Sequence, residues 1–149
     1  MKKNVNGILK EYDTVIYPFY FVAAIGDVEK EVNKVYEPYD GVHNYIGPPV
    51  PPATGSTYNV RRKDTKDRCL LVWIPSKEAV RTSTITHECG HAALEIFDKV
   101  GAKAEGKNQE PFCYLIGSLA RLFTETFYEI PGIQPPKIET SKPSKSKKK

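Results

Sequence analysis

The chain has 149 residues, 40% of them apolar and 27% charged, and none of its apolar runs is long enough to span a bilayer. This length and composition are typical of one globular domain with a substantial core, and they exclude a membrane-spanning protein. Three cysteines without CxxC spacing do not predict a disulfide framework, so a reducing cytoplasm is expected. The polar start Met1–Gly7 does not resemble a signal peptide.

The net charge of +4 is concentrated at the C-terminus. Residues 137–149 hold six Lys and one Glu, which contribute +5 and leave −1 for the rest of the chain. We therefore predict a single domain over residues 1–135 and a disordered basic tail over residues 136–149. This tail is expected to be a solvated, solubilising end. The alternative is contact with nucleic acid, which would involve only the tail.

The N-terminal part predicts strands, one helix and a long loop. Residues 12–25 are rich in Val, Ile, Tyr and Phe and contain Pro18, which predicts one strand or two short pieces. In Val28–Tyr36 valines recur at helical spacing, and Pro38 ends that helix. Residues 37–55 contain five Pro and three Gly, so they predict a Pro-rich loop.

Two β-like runs follow, Ser56–Arg62 and Arg68–Ile74, and the polar residues 63–67 between them suit a hairpin turn. From Thr82 the apolar residues recur at helical spacing, which predicts a helix that ends at Gly101. A last amphipathic helix is predicted over Asn108–Glu129. The fold class that these elements predict is α+β. A small, mostly antiparallel sheet would pack against a site-bearing helix and a following C-terminal helix.

The residues His87-Glu88-Cys89-Gly90-His91 form an HExxH motif within the first of these two helices. Positions i and i+4 lie one turn apart on one face, so His87 and His91 can direct two imidazoles at one zinc ion. Glu88 can then reach a zinc-bound water as general base. The longer motif of the metzincins is excluded because it would need Gly and His where Leu94 and Phe97 stand.

A third ligand is needed because catalytic zinc usually takes three protein ligands. His43, the only other histidine, falls in the Pro-rich loop, where an exposed position is expected. Glu110 lies 19 positions after His91 and opens the next helix. This HExxH-x18-E pattern resembles the gluzincin branch of the zincin metallopeptidases. The resemblance implies His87, His91 and Glu110 as zinc ligands and Glu88 as the general base.

The same resemblance implies zinc-dependent hydrolysis of peptide bonds. The strand Leu70–Ile74 resembles the edge strand of zincins, so a protein or peptide substrate is expected to lie along it. The chain is also similar to short zincin-like proteins of phages and prophages, which implies the bacterial host cytoplasm or a phage-associated location. The alternative is a zinc-binding structural or assembly protein, such as a phage virion component, with little or no catalytic activity.

Two residues near Glu110 are further candidates. Tyr114 falls one turn later on the same helix face, where its hydroxyl could hydrogen-bond a ligand or stabilise an oxyanion. The alternative for Tyr114 is a half-buried residue of the core. Asn108 could orient a ligand, or it could cap the last helix at its N-terminus.

Overall fold

The computed structural model describes residues 6–39 and 46–136, so His43 and the Lys-rich residues 137–149 lie outside the described part. It has five strands and three helices, with a short 3₁₀ turn at Lys77–Ala79. In chain order they are β1 (Gly7–Asp13), β2 (Tyr20–Gly26), α1 (Glu29–Val35), β3 (Tyr36–Pro38), β4 (Ser56–Arg62), β5 (Arg68–Ile74), α2 (Thr82–Val100) and α3 (Glu110–Tyr128). The predicted α+β class is confirmed, and two helices follow the sheet.

The strands form one mostly antiparallel sheet in the order β1-β2-β5-β4-β3. Only the pair β2–β5 is parallel, and the predicted hairpin β4–β5 is confirmed with its bounds. Strand β5 is therefore central, and the prediction that Leu70–Ile74 is an edge strand is wrong. The physical reason lies in its sequence, because an apolar run without alternation is typical of a strand that is covered on both faces.

Side chains alternate along β5 and so serve two cores. Leu70, Val72 and Ile74 face α2 and α3, whereas Leu71 and Trp73 face a second cluster around α1. The two long helices divide the sheet between them. Helix α3 covers β1 and β2, and α2 covers β5 and β4. This division places the HExxH helix at the β4 side of the sheet.

The N-terminal strands differ in detail from the sequence prediction. They are two strands of a hairpin, and β1 begins at Gly7, earlier than predicted, with Pro18 in the connecting loop. The Thr14 hydroxyl organises this loop, because its oxygen lies 3.0 Å from the Tyr17 carbonyl oxygen and 2.8 Å from that of Phe19. The short strand β3 takes up the start of the predicted Pro-rich loop.

The ends of the long helices follow from their sequences. Helix α2 ends before Gly101, whose φ of 72° is a left-handed conformation that glycine adopts without strain. Helix α3 starts at Glu110, and Pro111 occupies its first turn as predicted. None of the helices in the described ranges is both long and apolar enough to cross a membrane.

Candidate metal centre

Helix α2 presents the HExxH motif because its two faces differ in character. Ile85, Cys89 and Ile96 are buried in the core against the sheet, together with Ala92 and Ala93. Because these buried residues form a stripe that packs on the sheet, His87 and His91 lie on the exposed part of the helix surface. The core-facing stripe thus determines where the two imidazoles point.

The two imidazoles lie close enough together for both to approach one metal ion. The Nε2 atoms of His87 and His91 are 3.2 Å apart. Two nitrogen ligands at tetrahedral positions around one zinc ion, each bonded at about 2.0–2.1 Å, are separated by about 3.3–3.4 Å. The separation of the two nitrogens is therefore close to that of two ligands at adjacent positions of one tetrahedral zinc ion.

Glu88 is buried, with 7% of its surface exposed, and its carboxylate is held by β4. The Thr57 hydroxyl lies 2.7 Å from Glu88 Oε2 and 3.0 Å from the Glu88 carbonyl oxygen. Thr57 pairs with Val72, so the alternation of the sheet directs both side chains towards α2. A hydrogen bond from the hydroxyl fixes the carboxylate against β4.

Gly55 lets the chain just before β4 approach α2 closely. A Cβ atom at this position would lie 3.0 Å from Glu88 Cγ and 3.1 Å from Thr84 Cγ2, which is tighter than ordinary contact. A cleft of 380 Å³ opens here, with residues 52–55 on one side and Ser83, Thr84, His87 and Glu88 of α2 on the other. The candidate site is therefore a cleft between α2 and the chain that enters β4.

Replacing Thr57 with Val is expected to lower the free energy of unfolding by about 1–3 kcal/mol, because the buried Glu88 carboxylate loses its hydrogen-bond donor. Thr57→Ser keeps the hydroxyl and is the matched control. Urea denaturation of the wild type and both variants measures the difference. Equal stability of the Val and Ser variants would show that the hydrogen bond does not hold Glu88 in solution.

Glu110 does not join the two histidines in this arrangement. It is the first residue of α3, the helix over the β1–β2 half of the sheet, and its side chain is exposed. In the described part of the chain no three His, Cys, Asp or Glu side chains converge so that they could hold a metal ion. The structure thus brings the His87 and His91 imidazoles together and places His87 and Glu88 on the cleft, and Glu110 as third ligand stays a prediction.

Tyr114 and Asn108 do not line the cleft at His87 and Glu88. Tyr114 is 73% exposed, so the interpretation as a half-buried core residue is wrong. It lines a separate groove of 420 Å³ between α3 and the loop Asp13–Tyr17. Asn108 is exposed and precedes the N-cap Gln109, so it does not cap α3. A role for either residue in positioning a ligand stays a prediction.

Cys89 stands inside the motif but points into the core. Burial, with the neighbouring Glu88 carboxylate as a smaller cause, raises the pKa of the Cys89 thiol to about 12. The thiol therefore stays protonated near neutral pH, and it packs as a small apolar side chain.

Sequence reasoning missed Thr57 and Gly55. The alternation of β4 was a usable signal, because it could have placed Thr57 on the same face as Val72. It could not have shown that Glu88 lies opposite.

No protein-family model matches this sequence, and no curated protein and no solved structure is significantly similar to the chain.

Proposed function

We propose that this protein is a zinc-dependent peptidase whose site lies in the cleft between α2 and the start of β4. The observation that carries the proposal is the 3.2 Å separation of the His87 and His91 Nε2 atoms on the exposed side of α2. The Glu88 carboxylate beside them, held by Thr57, supplies the acid–base group that hydrolysis needs.

The proposed reaction is the addition of water to a peptide carbonyl, followed by breakage of the C–N bond. A bound zinc ion supplies Lewis acidity towards the carbonyl oxygen and lowers the pKa of a water. His87 and His91 would hold the ion through their Nε2 atoms. Glu88 accepts a proton from the attacking water on its carboxylate and passes it to the nitrogen of the leaving amine. The Thr57 hydroxyl keeps that carboxylate turned towards the cleft.

A peptide substrate is proposed to lie along β4 instead of β5. Strand β3 pairs with β4 only from Val60 to Arg62, and the Tyr39 amide reaches Asn59. In the described ranges no strand pairs with the outer side of Ser56–Tyr58. This stretch includes Thr57, the residue that holds Glu88. An extended peptide that pairs here would bring its backbone next to the proposed base.

Glu110 is kept as the proposed third ligand because of its spacing from His91. The Phe112 ring, two residues later, lies 5.2 Å from that of Phe97 and brings the first turn of α3 against α2. Phe97 is six residues beyond His91, about 9 Å of helix rise. Ligation by Glu110 therefore requires this end of α3 to shift towards His91.

The test is metal analysis of the purified full chain with single substitutions. We expect one equivalent of zinc in the wild type, and His87→Ala and His91→Ala should each weaken zinc binding more than about tenfold. Glu110→Ala should do the same, whereas His43→Ala serves as the control histidine. Absence of stoichiometric zinc would overturn the proposal and indicate that the imidazoles merely hydrogen-bond each other. Unchanged zinc in Glu110→Ala would remove Glu110 from the ligand set.

Cleavage decides between the peptidase and an inactive zinc-binding assembly protein. The wild type, loaded with zinc, is incubated with a panel of denatured proteins, and the products are read by mass spectrometry. Chelator-sensitive cleavage supports the peptidase. Stoichiometric zinc without cleavage of any panel member would favour the structural or assembly role.

A further inference from the structure

Arg68 is the one arginine among the described residues whose side chain has no hydrogen bond or ion pair. The others bond to carboxylates or to backbone carbonyls: Arg61 to Glu37, Arg62 to Glu11 and Asp64, Arg121 to Glu125, and Arg81 to the carbonyls of Glu78 and Val80. The Arg68 Nε atom is buried and has no hydrogen-bond partner. Burying part of a guanidinium group without a hydrogen-bond partner costs free energy unless an anion compensates its charge.

Two aromatic rings hold the Arg68 guanidinium in place. Its central carbon lies 3.6 Å from the centre of the Tyr39 ring and 5.7 Å from that of Phe19. Such stacking fixes the plane of the guanidinium and leaves the N–H groups at its edge for a ligand. The side chain is partly exposed, so solvent reaches part of it.

The charged residues nearest to Arg68 in the described part of the sheet do not neutralise it. Its direct cross-strand partner is Arg61, and like charges opposite each other are unfavourable. Glu37 bonds to Arg61 and also to Lys66, so this carboxylate is already shared by two cations. Among the described residues, Arg68 thus has no carboxylate partner in this part of the sheet.

Asn59 supplies a second unused polar group beside Arg68. It pairs with Leu70, two residues after Arg68, so both side chains project from the same face as diagonal neighbours. The Asn59 carboxamide oxygen is buried and has no hydrogen-bond partner among the described residues. The oxygen is an acceptor and cannot bind a carboxylate, so the NH₂ group is the part of Asn59 that would donate to one.

The Arg68–Asn59 pair lies along the sheet from the candidate metal centre. Asn59 is two residues from Thr57 on β4, and Arg68 pairs with Arg61, four residues from Thr57. Along β4, Gly55 meets Thr84 and Glu88, and Thr57 meets Glu88, so the strand and α2 advance in the same direction. Asn59 is two residues further on, about 7 Å along the strand. At 1.5 Å of rise per residue, this distance corresponds to about five residues of α2 beyond Glu88. The free edge Ser56–Tyr58 ends where the Tyr39 amide bonds to the Asn59 carbonyl.

We infer that Arg68, Asn59 and Tyr39 form a carboxylate-binding subsite for a peptide docked on β4. The inference rests on the proposed function, because it names the substrate class of that cleft as extended peptides with a carboxylate about two to four residues from the cleavage site. The carboxylate would accept hydrogen bonds from the guanidinium edge and from the Asn59 amide. Both an acidic side chain and a free C-terminus supply this chemistry.

The experiment measures peptide binding by fluorescence anisotropy, with the full chain carrying Glu88→Gln so that the peptides stay intact. Three labelled peptides share one apolar extended sequence. One carries Glu and an amidated C-terminus, one is neutral with a free C-terminus, and one is neutral and amidated. We expect either the Glu peptide or the peptide with a free C-terminus to bind at least about tenfold more tightly than the neutral amidated peptide. One charge-assisted hydrogen-bonded pair can account for a difference of this size. The peptide that gains identifies the source of the carboxylate.

Arg68→Met should abolish this preference, and Arg68→Lys should reduce it, because Lys lacks the planar fork. Asn59→Asp places a negative charge in the subsite and should weaken the preferred peptide without removing Arg68. Arg121→Met, on α3 and paired with Glu125, is the matched control and should keep the preference. Circular dichroism and zinc content check that each variant is folded.

Equal binding of all three peptides, or an unchanged preference in Arg68→Met, would overturn the subsite. Cleavage by the wild type is measured separately. Cleavage without any carboxylate preference refutes the subsite and leaves the peptidase. A preference that depends on Arg68, without cleavage, supports the subsite and counts against the peptidase.

Discussion

Glu88→Gln is expected to lower kcat/KM for peptide cleavage by about 10²–10⁴ and to leave the zinc content unchanged. The amide is nearly the same size as the carboxylate but cannot accept a proton from water at neutral pH. Its carbonyl oxygen can still accept the hydrogen bond from Thr57, so the helix and the His pair should keep their positions. Cleavage of a peptide found in the denatured-protein panel, with zinc measured on the same samples, tests this.

Thr57→Val separates proton transfer from positioning. It retains the Glu88 carboxylate but removes the hydroxyl 2.7 Å from it, so the loss in kcat should be smaller than in Glu88→Gln. Thr57→Ser should restore the activity because it restores the donor. If Glu88→Gln cleaves as fast as the wild type, Glu88 is not the base, and the assignment of the cleft as the catalytic site loses its main chemical group.

Trp73→Ala is expected to lower the free energy of unfolding by about 3–5 kcal/mol, a large share of the stability of a small domain. The side chain is fully buried on central strand β5, and its indole N–H lies 3.0 Å from the Gly26 carbonyl oxygen. Truncation leaves a cavity between the sheet and α1 and removes that hydrogen bond. Urea unfolding followed by far-ultraviolet circular dichroism measures the loss.

One further variant tests the hydrogen bond of Trp73, and a second serves as a control at an exposed aromatic residue. Trp73→Phe keeps most of the ring and loses the N–H donor, so the expected loss is about 1–3 kcal/mol. Tyr114→Ala removes an aromatic side chain that is 73% exposed and should change stability by less than about 0.5 kcal/mol. A loss in Trp73→Ala no larger than that in Tyr114→Ala would contradict the central position of β5.

The elements with strong local signals were predicted correctly from the sequence. Helix α2 has a regular apolar stripe and a terminal Gly101, and both its ends agree with the prediction. The hairpin β4–β5 agrees because a polar turn separates two β-rich runs. Strand β1 was predicted only in part, because Gly7–Glu11 mixes apolar and charged residues and so resembles a loop.

The pairing of strands was not readable from the sequence in the same way. Position in a sheet depends on partners far along the chain, and β5 finds β2 on one side and β4 on the other. Its unbroken apolar run was nevertheless a signal for a central strand. The prediction of an edge position rested instead on the resemblance of Leu70–Ile74 to the edge strand of zincins.

The site was predictable only where one helix carries it. The i, i+4 spacing of His87 and His91 fixes their separation through helix geometry alone. The approach of Thr57 to Glu88 needs the packing of a strand on a helix, and a third ligand needs the packing of two helices. These distances depend on the core between the elements, and a motif in the sequence does not specify them.

The parallel pair β2–β5 bears on the order in which the chain assembles. The hairpins β1–β2 and β4–β5 each close over a short connection, whereas Tyr20 and Cys69, which meet at the parallel seam, are 49 positions apart. Pairing over such a separation is slow compared with local contacts. We therefore expect β4, β5 and α2, which follow one another directly, to associate early. In a newly synthesised chain, the edge of β5 that pairs with β2 would stay exposed until that pairing forms. An exposed edge of an apolar strand is a site at which chains can aggregate.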